Sequence, residues 1–296
     1  MPASPWDIAS IGLAAAGCAS VCQAAGASLF VALYGGQMAV SDRCIRRLGA
    51  AVAVVGIAMV LTRTLLEPAH LAGSAAGIAD GSLHFLVMTS DVGTAAALRI
   101  AGLALIATML CRRQRAADVA AVVGAVVACA SFALTGHTVA SPARPLLLPL
   151  LTAHLLLAAF WFGALWPLRM LAGRESATAA SAVLADYSRH ATALVPALAL
   201  AGMAIAAGLA EPLVAIPASP WGRLLLLKLA LFALLMGLAA VNKLRLVPRL
   251  SAGDPRAATA LRFSIICEIA LILVIFATTA VLTGLFSPAR RGRGDR

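Results

Sequence analysis

The chain alternates between long apolar stretches and short polar segments. Eight stretches are each about 20 residues or longer, which is the length a helix needs to cross a bilayer. Because a helix satisfies its own backbone hydrogen bonds in lipid, such stretches are expected to be helical. The pattern predicts an all-α, polytopic integral membrane bundle of about eight transmembrane helices, in a single transmembrane domain over residues 1–296. The predicted spans are 7–36, 46–67, 90–111, 117–138, 146–170, 188–210, 221–245 and 259–286.

Composition agrees with a membrane bundle. Hydrophobic residues make up 62% of the 296 residues and charged residues only 12%, against about 25% charged residues in soluble domains. The net charge of +11 comes from residues between the apolar stretches. This placement favours membrane-topology charges over nucleic-acid binding. The first stretch is too long for the core of a signal peptide and is interpreted as a retained helix.

The loops alternate in charge along the chain. Arg and Lys concentrate in the loops after the odd-numbered spans, whereas the segment between spans 2 and 3 has neither. The positive-inside rule therefore places both termini outside, which would be the periplasmic side in a bacterium. The basic tail from Arg290 to Arg296 disagrees with this orientation. The outer segment at about 68–89 is expected to hold a short amphipathic or re-entrant piece.

Four of the five histidines fall on the outer side in this topology, and imidazole suits copper, zinc and iron. The alternative is that each histidine caps a helix or bonds a carbonyl group. His190 is expected at the inner interface. The candidate metal ligands are His70, His84, His137 and His154.

Thiol and thioether groups offer a second ligand type. Cys18 and Cys22 are four residues apart and share one helix face, where two thiolates could bind Cu(I). The alternative is that both pack as small apolar side chains. Met88 is the methionine near the outer histidines. None of the six cysteines lies in a predicted outer segment, so a disulfide framework is not expected.

Polar groups inside the spans are expected to face the bundle interior or an aqueous cavity, because they are costly in lipid. Asn242 is the expected neighbour of Glu268. Two interpretations stay open for the set, a path for protons or metal and a polar clamp between helices. The set comprises Arg63, Arg99, Lys228, Asn242 and Glu268.

Several motifs from residue 89 to residue 286 resemble the CopD/PcoD family of copper-resistance membrane proteins. One is Gly136-His137, then His154, then Trp161-Phe162-Gly163-Ala164-Leu165. The others are the stretch from Trp221-Gly222-Arg223 to Lys228, Asn242 with Pro248 and Glu268, and Thr89 to Arg99.

The resemblance implies a copper-binding protein of the bacterial inner membrane, not an enzyme. It implies copper transfer inward from a periplasmic CopC-type carrier, which would be a separate protein. The four histidines would capture the ion, as Cu(I) or Cu(II), with Cys18, Cys22 or Met88 assisting if it is Cu(I). Gly136, Trp161 and Gly163 are expected to be packing positions of the motif.

Two alternatives remain open. Paired histidines on neighbouring helices could instead ligate haem b in an electron-transfer protein. The protein could also hold copper as a chaperone or assembly factor without transporting it. The absence of a Walker loop or phosphorylated-Asp motif predicts that any transport is passive or ion-coupled.

Overall fold

The computed structural model describes residues 4–110, 114–136, 143–209 and 219–285, and these residues are almost wholly helical. Short 3-10 turns extend several helices, and a π-helical turn at Asn242–Leu246 joins α8 to α9. In chain order the described α-helices are α1 (Pro5–Tyr34), α2 (Asp42–Ala72), α3 (Gly81–Thr89), α4 (Asp91–Ala107), α5 (Arg115–Ala130), α6 (Arg144–Arg174), α7 (Ala177–Leu209), α8 (Pro220–Val241), α9 (Val247–Ser251) and α10 (Pro255–Leu285).

The helices confirm the predicted polytopic bundle. Seven of those in the described ranges are long and apolar enough to cross a membrane. The bent pair α3 and α4 makes an eighth if it forms one span, with an angle of 68° between its two halves. The short piece expected in the segment before span 3 is therefore α3, a helix of 9 residues.

Helix α1 lies at the centre of the bundle and packs against α2, α5, α6 and α10. Its contact with α6 is close because two glycines face each other. A Cβ atom added at Gly26 would lie 1.8 Å from the carbonyl oxygen of Ala159, and one at Gly163 would lie 2.4 Å from the Gly26 Cα. Gly163 is thus a packing position, as the motif indicated, and it sets how near α6 comes to α1.

The N-terminus lies at one end of the bundle, which we call the N-terminal end. The N-terminal end holds the start of α1 and the last turns of α2 and α10. At the opposite end, Glu175 follows α6 and accepts hydrogen bonds from the backbone N–H groups of Val40 (2.9 Å) and Ser41 (2.8 Å). Glu175 therefore joins the connection after α6 to the connection between α1 and α2.

One predicted loop is wrong. The sequence was interpreted as a loop between spans at residues 170 and 188, but α7 begins at Ala177 and includes His190. The segment is rich in alanine, the best helix former, and its residues Val183, Leu184 and Tyr187 are buried. The helix therefore continues beyond the length that hydrophobicity alone predicts.

A second difference concerns Arg46, one of the basic residues after the first predicted span, which were interpreted as topology charges. Arg46 lies in α2 with its side chain only 8% exposed. Its guanidinium group is 3.1 Å from Asp42 and also pairs with Asp118 in α5. Arg46 thus links α2 to α5 through an ion pair at the end of the bundle opposite the N-terminus.

Candidate functional site

A cavity of about 270 Å³ opens at the N-terminal end of the bundle, between α1, α2 and α10. It combines an acidic, a basic and an imidazole side chain with small or apolar groups from α1 and α10. We call it the N-terminal cavity. Its lining residues are Asp7, Ser10, Ile11, Arg63, His70, Thr283 and Gly284.

The capping box that starts α1 positions Asp7. The Ser4 hydroxyl accepts a hydrogen bond from the Asp7 backbone N–H at 3.1 Å, and the Asp7 carboxylate accepts one from the Ser4 backbone N–H at 2.9 Å. This reciprocal pair is a common way to begin a helix. Here it also fixes one carboxylate oxygen, Oδ2, and leaves Oδ1 directed towards His70.

His70, in the last turn of α2, faces this carboxylate. Its Nδ1 atom lies 3.5 Å from Oδ1 of Asp7, which is too long for a good hydrogen bond. The same Nδ1 atom is buried and has no hydrogen-bond partner among the described residues. Ions such as Zn²⁺ bind imidazole nitrogen and carboxylate oxygen at about 2 Å, so one metal ion could bridge the two atoms.

Arg63 lies about two turns deeper on α2, in the wall of the same cavity. Its Nε atom is buried without a hydrogen-bond partner among the residues described. A bare cation that passes this point would be repelled. The cavity thus presents one carboxylate and one guanidinium group to an incoming ion.

His84 and Met88 lie apart from this pair on α3. The Nε2 atom of His84 is 2.8 Å from the carbonyl oxygen of Ile78, within its own segment. Asp80 caps α3, and hydrogen bonds from the Ser82 side chain and from the backbone of Leu83 and Ser82 hold the pKa of its carboxyl group below the ordinary value. Met88 is 61% exposed.

His154 projects from α6 towards α7. Its Nδ1 atom is 3.1 Å from the carbonyl oxygen of Leu198, and a Cβ atom at Gly202 would lie 3.0 Å from its Cε1 atom. His137, the predicted partner across the preceding loop, lies outside the described residues. Gly136 before it is exposed and has φ of 85°, a left-handed conformation that suits glycine.

The histidines thus contact different parts of the bundle in the described ranges. In those ranges no group of three or more His, Cys, Asp or Glu side chains converges closely enough to hold a metal ion. Asp7 was not among the candidate residues predicted from the sequence, although it lines this cavity. The only available signal was an acidic residue at the start of a membrane helix.

The bundle interior holds two further cations. Arg99 in α4 is only 7% exposed; its Nε donates to the Ser131 hydroxyl at 3.0 Å, and its guanidinium carbon lies 3.7 Å from the centroid of the Phe132 ring. Lys228 in α8 lies within electrostatic range of both Cys18 and His154.

Cys18 and Cys22 do share one face of α1, as their spacing predicted, because both lie within this helix one turn apart. Cys22 is fully buried and Cys18 is half-buried. A third thiol, Cys129 in α5, is buried within electrostatic range of both.

Nearer the opposite end, the Asn242 side chain donates a hydrogen bond to the Glu268 carboxylate, which confirms the predicted neighbours. Glu268 is 3% exposed. Asn242 begins the π-helical turn after α8, and π-helical turns are frequent at functional sites.

Trp161 of the motif packs in the core. Its ring meets that of Phe232 edge to face, with centroids 6.2 Å apart, and its carbonyl oxygen accepts a hydrogen bond from Tyr187 at 3.4 Å. Like Gly163, this residue supports the bundle rather than lining the cavity.

The fold and the buried polar groups define a polytopic helical membrane protein with a polar interior. Two family models match the chain in tandem, Copper resistance protein D-like, N-terminal domain, over residues 5–144, and Copper resistance protein D over residues 181–282. The chain belongs to the copper resistance protein D family. The first match includes α1 and α2, in which the sequence motifs were not found. No curated protein and no solved structure matched the chain.

Proposed function

We propose that this protein binds copper at the periplasmic side of the bacterial inner membrane and passes it inward, contributing to copper homeostasis or resistance. The observation that carries the proposal is the N-terminal cavity, where His70 Nδ1 lies 3.5 Å from Asp7 Oδ1. An imidazole nitrogen without a hydrogen-bond partner among the described residues, beside a carboxylate, is a donor set that accepts copper when the nitrogen is deprotonated. Membership of a copper-resistance family supports copper over other metals.

The distribution of charge supports the direction. Among the described residues, basic side chains concentrate at the end opposite the cavity, near the ends of α1, α4, α6 and α8. The positive-inside rule assigns that end to the cytoplasm. Copper entering at His70 would therefore come from the periplasm, and a separate CopC-type carrier could deliver it there.

His154 is a second imidazole along the inward direction. It lies in α6, ten residues after Arg144, which corresponds to about 15 Å along the helix from the first residue of α6. Its Nε2 atom remains available because Nδ1 faces the Leu198 carbonyl oxygen. His84 remains a proposed ligand at the same end of the bundle, and His137, which lies outside the described residues, also remains a proposed ligand.

Copper binding by purified protein in detergent tests the proposal. The wild type is expected to bind copper, and His70→Ala is expected to weaken binding at least tenfold. His190→Ala is the matched control, because that histidine lies at the other end of the bundle, where its Nδ1 atom is 3.0 Å from the Tyr34 hydroxyl. Equal affinity of His70→Ala and wild type would contradict the assignment.

The same preparation distinguishes the alternatives. A Soret band in freshly purified protein would support haem b and contradict copper as the resident ligand. Copper binding without copper uptake in proteoliposomes would support a chaperone or assembly factor. Binding with uptake supports the transfer function.

A further inference from the structure

We propose that Cys18 and Cys22 form a two-sulfur Cu(I) site inside the bundle, whose negative charge is balanced by Arg99 and Lys228. This inference rests on the proposed copper function and adds an intramembrane station to it. Asp7 and Cys18 are eleven residues apart on α1, about 17 Å along the helix. The site therefore lies well inside the bundle from the N-terminal cavity.

Helix α1 places the two thiols on one of its faces. Cys18 and Cys22 are one helical turn apart on α1, a spacing that brings Cβ atoms to about 5 to 6 Å from each other. Cys22 is 1% exposed, so water has little access to it. Cu(I) prefers soft sulfur ligands and accepts a linear arrangement with only two of them. A two-ligand site is consistent with the lack of any three-ligand group in the described residues.

The surrounding charges distinguish this pair from cysteines that merely fill space. Lys228 and Arg99 both lie within electrostatic range of Cys18. The Nη2 atom of Arg99 is buried without a hydrogen-bond partner in the described part of the chain. Neither cation forms an ion pair with a described carboxylate. Arg99 is buried and Lys228 is half-buried. Buried charges are normally paired, so this interior is prepared for a negatively charged group.

Copper binding would supply that group. As one Cu(I) ion enters, two S–H bonds break, two Cu–S bonds form and two protons leave to water. No electron is transferred, because the ion arrives and stays as Cu(I). The resulting complex of one Cu⁺ and two thiolates carries a net charge of −1. It would be attracted by Arg99 and Lys228, whereas a bare Cu⁺ ion would be repelled by both.

The test is a titration of the full-length protein in detergent, without oxygen and under reducing conditions, with Cu(I) and separately with Ag(I) as a redox-inert probe. We expect a tightly bound equivalent whose X-ray absorption spectrum shows sulfur ligands alone. Cys18→Ser and Cys22→Ser should each lose this equivalent. Cys267→Ser is the matched control, because Cys267 is also half-buried within a membrane helix, and it should bind as the wild type does.

Substitutions of Lys228 test whether its positive charge stabilises the bound Cu(I). Lys228→Met should weaken Cu(I) binding at least tenfold, and Lys228→Arg should restore it, because only the charge is kept. Nitrogen or oxygen ligands to the first, most tightly bound equivalent of Cu(I) in the wild type would overturn the proposal, even if the cysteine variants failed to fold. So would undiminished binding in both folded cysteine variants. If the sulfur site is overturned but the wild type still takes up copper, the proposed function stands. If copper is bound by sulfur but is not taken up, only the transport part of the proposed function is contradicted.

Discussion

The side chain of Asn242, where α8 ends, donates a hydrogen bond to the carboxylate of Glu268 in α10. Both residues are buried, and the Asn242 Oδ1 atom has no hydrogen-bond partner among the described residues. The pair thus joins two helices through a single polar contact next to a π-helical turn. Such a contact suits either a clamp between helices or a carboxyl group that carries a proton.

Substitution of Glu268 separates these two roles. Glu268→Ala removes the acceptor and leaves Asn242 unsatisfied, so we expect a loss of about 1 to 3 kcal/mol of stability. Glu268→Gln keeps an acceptor of the same shape and should unfold in detergent at nearly the wild-type temperature. If Glu268→Ala is as stable as the wild type, the hydrogen bond has no structural role. Copper uptake abolished in the Gln variant would indicate proton transfer, and unchanged uptake would indicate a clamp.

The contact between α1 and α6 should not tolerate a methyl group. Gly163→Ala would place Cβ at 2.4 Å from the backbone of Gly26, so the helices must separate. We expect a loss of about 3 kcal/mol, measured as a lower thermal unfolding temperature. Gly12→Ala is the control, since nothing lies within 4 Å of its added Cβ. A Gly163→Ala protein as stable as the control would contradict the close packing.

Stability should depend on pH through Glu175. Burial alone would raise the pKa of this carboxyl group, but hydrogen bonds from the backbone of Ser41 and Val40 outweigh it and lower the pKa below the usual value. A lowered pKa in the folded state means that the charged form stabilises the fold. This contribution is complete above the unfolded pKa of about 4.3 and disappears as pH falls through the folded value.

The measurement compares wild type with Glu175→Gln over a range of pH. We expect the difference in unfolding temperature to be constant above about pH 5, where Glu is fully ionised even when unfolded, and to shrink in acid. A difference in unfolding temperature that grows in acid would have the wrong sign and would contradict a stabilising role of the Glu175 carboxylate.

The buried ion pairs of Arg46 predict a strong effect of its removal. Arg46→Ala leaves Asp42 and Asp118 without their shared cation, and breaking a buried pair costs about 3 to 5 kcal/mol. Arg43→Ala, an exposed position in the same helix, is expected to change stability by less than about 0.5 kcal/mol. The two variants can be compared by thermal unfolding in detergent. Equal stability would show that Arg46 acts only as a topology charge.

The sequence predicts the local features of this molecule well. Apolar length predicted the long helices, and a four-residue spacing placed Cys18 and Cys22 together, because both properties are local. Asn242 and Glu268 could be predicted as neighbours because they lie at similar depths in the membrane in consecutive predicted spans. The contact between Asp7 and His70 could not be predicted in this way, because it depends on how the start of one helix meets the end of the next. The role of Arg46 could not be predicted either, because its partner Asp118 belongs to another helix that is distant in sequence.

Copper uptake into proteoliposomes tests the central claim most directly. Wild-type protein and His190→Ala are expected to accumulate radioactive copper at similar rates, and His70→Ala is expected to be at least tenfold slower. His70 touches the cavity beside Asp7, whereas His190 contacts Tyr34 at the opposite end. Uptake by His70→Ala at the wild-type rate, or no uptake by any of the three proteins, would contradict the account.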